Sequence, residues 1–182
     1  QYRKLRNTFR YLLGALDGFD YEREGVDPGE MPELERYVLH RLHALDAALR
    51  KAIEAYDFNE YVRALIEFCN EDLSAFYFDI RKDRLYCDAP NDPARRAYRT
   101  VLDTLFHALV RYAAPVLVFT GEEVWQSRYP EGGSVHLLEW PDPSLPRHPG
   151  PRARVPLLGD SRRTAGPRVK PKATAWGSRR IG

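Results

Sequence analysis

Residues 57–80 read DFNEYVRALIEFCNEDLSAFYFDI. Asp57 followed three residues later by Glu60 has the form of a capping box, in which the two side chains take up backbone N–H groups that a helix start leaves without partners. Phe58, Val62, Leu65, Ile66, Cys69, Leu73, Phe76, Tyr77 and Ile80 then recur at helical spacing and populate more than one stripe. A helix that is apolar on several sides has to be surrounded by others. The stretch therefore predicts a central rod in an all-α bundle.

Upstream, Pro32 with Glu33 and Glu35 marks a helix start, since proline has no N–H to lose there and acids suit the positive end of the helix dipole. Leu34, Val38, Leu42, Leu45, Leu49, Ile53 and Tyr56 carry that helix to about residue 56. Before it, Tyr2, Leu5, Phe9, Leu12, Leu13 and Leu16 form one apolar stripe over residues 2–17. The intervening Gly18–Glu30, with three glycines, a proline and several acids, predicts a solvated connection.

Downstream, Asp92-Pro93 is an N-cap followed by proline at the first helical position. Tyr98, Val101, Leu102, Leu105, Phe106, Leu109, Val110 and Tyr112 extend a helix from it as far as Pro115, which interrupts helical hydrogen bonding. Thr120 and Glu123 predict a second capping box and a short last helix with Val124 and Trp125. Gly132-Gly133 turns the chain into Ser134–Trp140, expected to be extended. The expectation is an all-α bundle of about five helices over residues 1–141.

The charge balance divides along the chain. The net charge is only +2, yet residues 141–182 hold ten of the 28 basic residues and two of the 26 acidic ones, leaving residues 1–140 with 18 against 24. An acidic bundle binds phosphate only through local basic stripes. Residues 142–182 also hold seven of the 14 prolines and five of the 12 glycines without any period, so a disordered basic tail is expected there. Cys69 and Cys87 form no CxxC pair, which implies neither a disulfide framework nor zinc and fits a reducing cytoplasm. No run approaches the length of a membrane span, and the N-terminus has no secretory h-region.

Catalytic signatures are missing: there is no GxxxxGKS/T loop, GxGxxG, HExxH or GxSxG. His40 and His43 have a spacing that can hold a metal, but no third ligand lies near them in sequence, so solvated or packing roles are expected. Consecutive acids such as Glu122-Glu123 are expected as dipole partners. Phe76, Tyr77, Phe106, Tyr112 and Trp125 are expected mostly in the core.

The basic residues have a sharper reading. Arg3, Arg6 and Arg10, with Lys4 beside them, line one side of the first helix, as recognition of an RNA backbone requires. A solvated face or a contact with another domain is the competing reading. Arg81, Lys82, Arg84 and Tyr86 end a helix, where cations suit the dipole in any case. Arg95, Arg96 and Arg99 oppose the dipole at a helix start, so something else holds them there, the acids of the front half being the plain candidates.

Three stretches together resemble the anticodon-binding domain of class I aminoacyl-tRNA synthetases, the isoleucine enzymes most of all. They are Tyr2–Arg10; Tyr56-Asp57-Phe58 with Phe76–Tyr86, Arg95-Arg96 and Thr100-Val101-Leu102; and Ala113-Ala114-Pro115 with Phe119–Trp125, Ser134–Leu137 and Glu139-Trp140-Pro141. The valine and leucine enzymes share the bundle, but Lys82–Tyr86 near Arg95-Arg96 favours isoleucine. The resemblance implies a helical domain that packs on the anticodon stem-loop of tRNA-Ile and positions it for a catalytic domain of the same parent chain. Neither DNA nor a membrane is implied. The parent reaction is ATP-dependent ligation using ATP and magnesium, but this chain lacks the HIGH and KMSKS-type motifs, so it carries no cofactor and is expected to be inactive alone. Phosphate contacts are assigned to Arg3, Arg6, Arg10, Lys82 and Arg84. A helical protein-interaction module is the alternative.

The tail departs from the resemblance. Arg, Pro, Gly and Ala are what GC-rich DNA yields out of frame, which leads to the expectation of a misjoined reading frame after about Pro143. A native RNA-binding arm is the competing expectation.

Overall fold

A short link, Ala55 to Asp57, both ends one helix and begins the next. In the computed structural model, which describes residues 2–142, α3 spans Glu33–Glu54 and α4 spans Phe58–Glu67. Tyr56 has a φ of 55°, and its N–H and that of Asp57 bond back to the Ile53 and Ala52 carbonyls at 3.0 and 2.8 Å. This is a Schellman closure, built here with tyrosine where glycine is usual, at a cost of about 1 kcal/mol. Asp57 then accepts the Glu60 N–H at 2.9 Å, so the first expected cap forms.

The remaining elements are α1, Tyr2–Ala15; a single turn α2, Tyr21–Glu24; α5, Phe78–Cys87; α6, Pro93–Ala113; and α7, Val118–Arg128. Two 3₁₀ turns lie at Pro28–Glu30 and Val135–Leu137, and there is no strand among the described residues. Helix α4 runs into α5 through a π-helical segment, Phe68–Tyr77, so the chain is helical from Phe58 to Cys87. The expected bundle of five long rods is present, with α2 an added turn. Residues 143–182, on which the expected tail and the frame hypothesis fall, lie outside the described residues.

The π segment shifts the phase of the rod that contains it. A π-helix carries more residues per turn than an α-helix, so side chains beyond it rotate relative to a simple helical count. Phe68, Cys69, Leu73, Tyr77 and Phe78 all face inward, whereas Phe76 and Ile80, expected in the apolar stripe, are exposed. Phe58 is exposed as well, and Tyr61 takes the buried place beside it. Ser74 Oγ donates to the Cys69 carbonyl five residues back at 2.9 Å, occupying one of the widened turns.

The central rod is α6, which corrects the expectation placed on residues 57–80. Fifteen of its 21 residues are buried, including Tyr98, Leu102, Phe106, Leu109 and Tyr112, so it is enclosed on nearly every side. Asp92 caps it through the Ala94 and Arg95 N–H groups, as expected. Several buried polar groups on and around it are paired, while the Nε atoms of Arg95 and Arg111 are buried without a hydrogen bond. Asp103 accepts from Arg128 of α7 at 2.8 Å. Asp46 of α3 accepts from the Tyr112 hydroxyl at 2.8 Å and the Trp140 indole at 2.7 Å. Glu35, 1% exposed, pairs with Arg81 of α5 at 2.8 Å rather than serving as a solvated dipole partner.

Three local expectations are overturned. Helix α7 begins at Val118 without a side-chain cap, because Thr120 bonds the Tyr2 hydroxyl instead, at 3.0 Å. Glu122 accepts from Ser134 Oγ and the Val135 N–H at 2.9 and 3.0 Å, and this draws Ser134–Leu137 into a 3₁₀ turn where extended chain was expected. The connection over residues 18–30 is docked, not merely solvated. Phe19 is buried, the Val26 N–H bonds Thr100 Oγ1 at 3.2 Å, and Arg96 and Arg99 bind carbonyls of residues 15–24.

Candidate nucleic-acid interface

Helix α1 is amphipathic because Leu5, Phe9 and Leu12 recur every three to four residues and bury against the bundle. The opposite side is cationic by the same periodicity. At about 100° per residue, Arg3, Arg6 and Arg10 fall within an arc of roughly 60°. All three are exposed, as is Lys4. Arg3, Lys4 and Arg10 make no hydrogen bond or ion pair through their side chains with the described residues. Arg6 lies 3.4 Å from Glu123 of α7, with both side chains more than half exposed, and donates to the Tyr2 hydroxyl at 3.3 Å. Such a pair is screened by water and salt and does not lock the guanidinium away from a stronger anion.

The two cations expected from α5 are placed differently. Lys82 contacts Asp79 at 2.7 Å one turn back and lies within electrostatic reach of the Tyr11 phenol of α1. Arg84 bonds Asp88 at 2.9 Å and sits in the field of Asp92 and Glu35 on another side of α5. Hence the structure brings Arg3, Arg6 and Arg10 to one face of α1, while Lys82 and Arg84 each pair with an acid nearby in sequence, Asp79 and Asp88.

Beside Arg10 the surface opens into a cleft of about 620 Å³ between α1, α5 and α6. Asn7, Arg10, Tyr11 and Asp17 line it on one side, with Tyr86, Arg95 and Arg99 opposite. The Tyr11 ring forms part of its floor, stacked on Phe78 with centroids 4.3 Å apart and its hydroxyl 2.8 Å from that of Tyr98. Burial raises the Tyr11 phenol above its ordinary value, with the Tyr98 hydrogen bond working against the rise. Asp17 is the one acid among the lining residues, so the cleft is cationic although the bundle is acidic overall.

The three arginines that oppose the α6 dipole divide by role. Arg99 donates to the Ala15 and Asp17 carbonyls at 3.2 and 2.6 Å and to Glu24 at 3.2 Å. Burial lowers its pKa, Glu24 counters this, and Arg95 with Arg128 adds to the drop. Arg96 donates to the Glu24 carbonyl at 3.2 Å. These two tie the 15–24 segment to α6, largely through carbonyls where carboxylates were expected. Arg95 has no side-chain partner among the described residues, and its Nε is buried without a hydrogen bond. The cleft was not legible in the sequence because one wall comes from α1, more than sixty residues before the α5 and α6 residues opposite. The single signal for it was the surplus of positive charge at Arg95–Arg99.

Other candidate chemistry is not assembled. His40 and His43 are both exposed, and no group of three or more potential metal-ligating side chains occurs among the described residues. Tyr77, Phe106, Tyr112 and Trp125 are buried as expected, while Phe76 is not. No described helix is long and apolar enough to cross a membrane.

Comparison with known proteins agrees with the geometry. Residues 35–157 match the family model described as the anticodon-binding domain of tRNA ligase. The chain is 64% identical over 146 residues to an isoleucine–tRNA ligase of Zymomonas mobilis, covering 78% of this chain and 15% of that protein. It is 56% identical over 151 residues to that of Gluconobacter oxydans, covering 79% and 16%, and 54% identical over 141 residues to that of Caulobacter vibrioides, covering 78% and 15%. It thus spans about one sixth of the length of these relatives. With a family match over most of its length and a helical bundle that presents cations beside an open cleft, the chain belongs to the anticodon-binding domains of tRNA ligases.

Proposed function

We propose that this chain is the tRNA-binding bundle of a cytoplasmic isoleucine–tRNA ligase, holding the anticodon stem-loop of tRNA-Ile while a catalytic domain of the same parent chain ligates isoleucine. The observation that carries the reading is the exposed α1 ridge, where Arg3, Lys4 and Arg10 are spaced along a rigid rod with no carboxylate neutralising them among the described residues. Phosphate contacts of this kind fix orientation on an RNA without reading its bases. Identities of 54–64% to isoleucine–tRNA ligases support the isoleucine assignment. ATP and magnesium, which the parent reaction uses, fall to residues outside this chain.

An exposed apolar group at one end of the bundle suits a contact with that catalytic domain. Phe119 is 89% exposed and Leu137 70%, with Val116 and Val118 also exposed, and the Val118 carbonyl meets His136 at 3.2 Å. Thr120, one residue on from Phe119, bonds Tyr2 at the start of α1, so this apolar end of α7 adjoins the N-terminal end of the bundle. Isolated exposed apolar residues are ordinary, but a group of this size at one end fits a domain contact.

Filter binding of tRNA-Ile against an unrelated duplex of equal length, with and without residues 143–182, tests the reading. Preference for tRNA-Ile that survives removal of the basic tail is expected. Equal binding of both nucleic acids, or unchanged affinity at low salt after Arg3→Ala, Arg6→Ala and Arg10→Ala together, would reject it.

A further inference from the structure

Two guanidinium groups face the α1–α5–α6 cleft without a partner among the described residues. Arg10 reaches it from α1 and Arg95 from α6, and Arg99 beneath them adds a third positive charge. A buried Nε with no acceptor costs free energy, and like charges gathered in one cleft repel. Both costs fall when an anion enters. The walls also supply rings. Tyr86 is 77% exposed at the rim, and Tyr11 is held rigidly by its stack on Phe78. Cations that track a backbone beside an exposed aromatic ring make the arrangement by which proteins hold unpaired nucleotides, the ring accepting any base by its face. A regular duplex keeps its bases stacked inward, so a cleft with an aromatic rim suits a loop or bulge better.

We propose that this cleft is a single-stranded RNA subsite, in which Arg10 and Arg95 bind one backbone phosphate and Tyr86 stacks on the adjoining unpaired base. The inference rests on the tRNA-binding reading above and assigns the loop side of the RNA to the cleft, leaving the stem phosphates to Arg3 and Lys4. Arg99 is a positioning residue: it fixes the cleft wall through residues 15–24 and does not touch the phosphate.

The test measures binding of the 182-residue chain to an anticodon stem-loop hairpin and to a fully paired RNA of the same length, across a salt series. Arg95→Met is expected to weaken hairpin binding roughly five- to tenfold and to reduce the slope of log K against log salt by about one. Tyr86→Ala is expected to weaken hairpin binding about tenfold without changing that slope. Neither variant should alter binding of the paired RNA by as much, whereas Arg3→Met should weaken both. Because Arg95 and Tyr86 bond to nothing else described, melting temperatures should match that of the parent. As a second readout, the Arg95 Nε–H resonance should shift on adding the hairpin while that of Arg63, paired with Glu60 on α4, stays in place. If Arg95→Met and Tyr86→Ala bind the hairpin normally while Arg3→Met does not, the cleft proposal fails and the tRNA-binding reading stands. If the unaltered chain prefers the hairpin to no other nucleic acid, both fall.

Discussion

Arg95 and Arg99 stand one turn apart on the same face of α6, yet Arg99 is spent on three hydrogen bonds and Arg95 on none. The difference comes from the 15–24 segment, whose Ala15 and Asp17 carbonyls and Glu24 carboxylate accept from Arg99, while none of its groups bonds the Arg95 side chain. One guanidinium thus builds the wall of the cleft, and its neighbour is left to face what enters it.

Arg99→Met should destabilise the bundle by about 2–4 kcal/mol, because two carbonyls and the Glu24 carboxylate lose their donor in a largely buried setting. Urea unfolding should show a lower midpoint for Arg99→Met, with Arg95→Met within about 0.5 kcal/mol of the parent. Equal loss in the two variants would contradict the division of roles.

Gly121→Ala should separate α7 from α6. A Cβ at residue 121 would meet the Ala114 Cα at 3.2 Å, and the obstacle is backbone, which cannot rotate aside. A loss of about 1–3 kcal/mol is expected in thermal or urea unfolding. Gly14→Ala is the control, since nothing lies within 4 Å of its added methyl group and the helix gains propensity.

The two cysteines should differ sharply toward a thiol reagent. Cys69 is buried in the π segment, and burial pushes its thiol up to about 12, whereas Cys87 is exposed at the end of α5. One thiol should react in the native chain and the second only on unfolding, as the thiolate is the reactive form. Rapid modification of both would show that the π segment opens readily.

Glu122 should contribute to stability in a pH-dependent way. Burial works to raise its pKa, but hydrogen bonds from Ser134, the Val135 N–H and Gln126 outweigh it, so the folded value lies below the ordinary 4.5. A carboxylate depressed on folding stabilises above its unfolded pKa and loses that contribution as pH falls through the folded value. Unfolding free energy should therefore drop below about pH 4.5 less steeply in Glu122→Gln than in the parent, and identical acid profiles would remove Glu122 from this role.

The all-α class, the rods at residues 2–17, 32–56 and 92–113, and the cap at Asp57 were legible in the sequence. They depend on periodicity and capping, which act over a few residues. The cationic face of α1 was legible for the same reason, since three arginines at helical spacing share a side whatever the rod packs against. Tertiary structure alone decided that α6 is the central rod, because enclosure depends on how many neighbours a helix receives. It decided that Thr120 bonds Tyr2 in place of capping α7, and that Phe78 and not Ile80 turns inward beyond the π segment. The cleft belongs to this second group. Arg10 lies more than seventy residues from Tyr86 and Arg95, and only the packing of α1 and α5 on α6 brings their unspent charge and ring to one place.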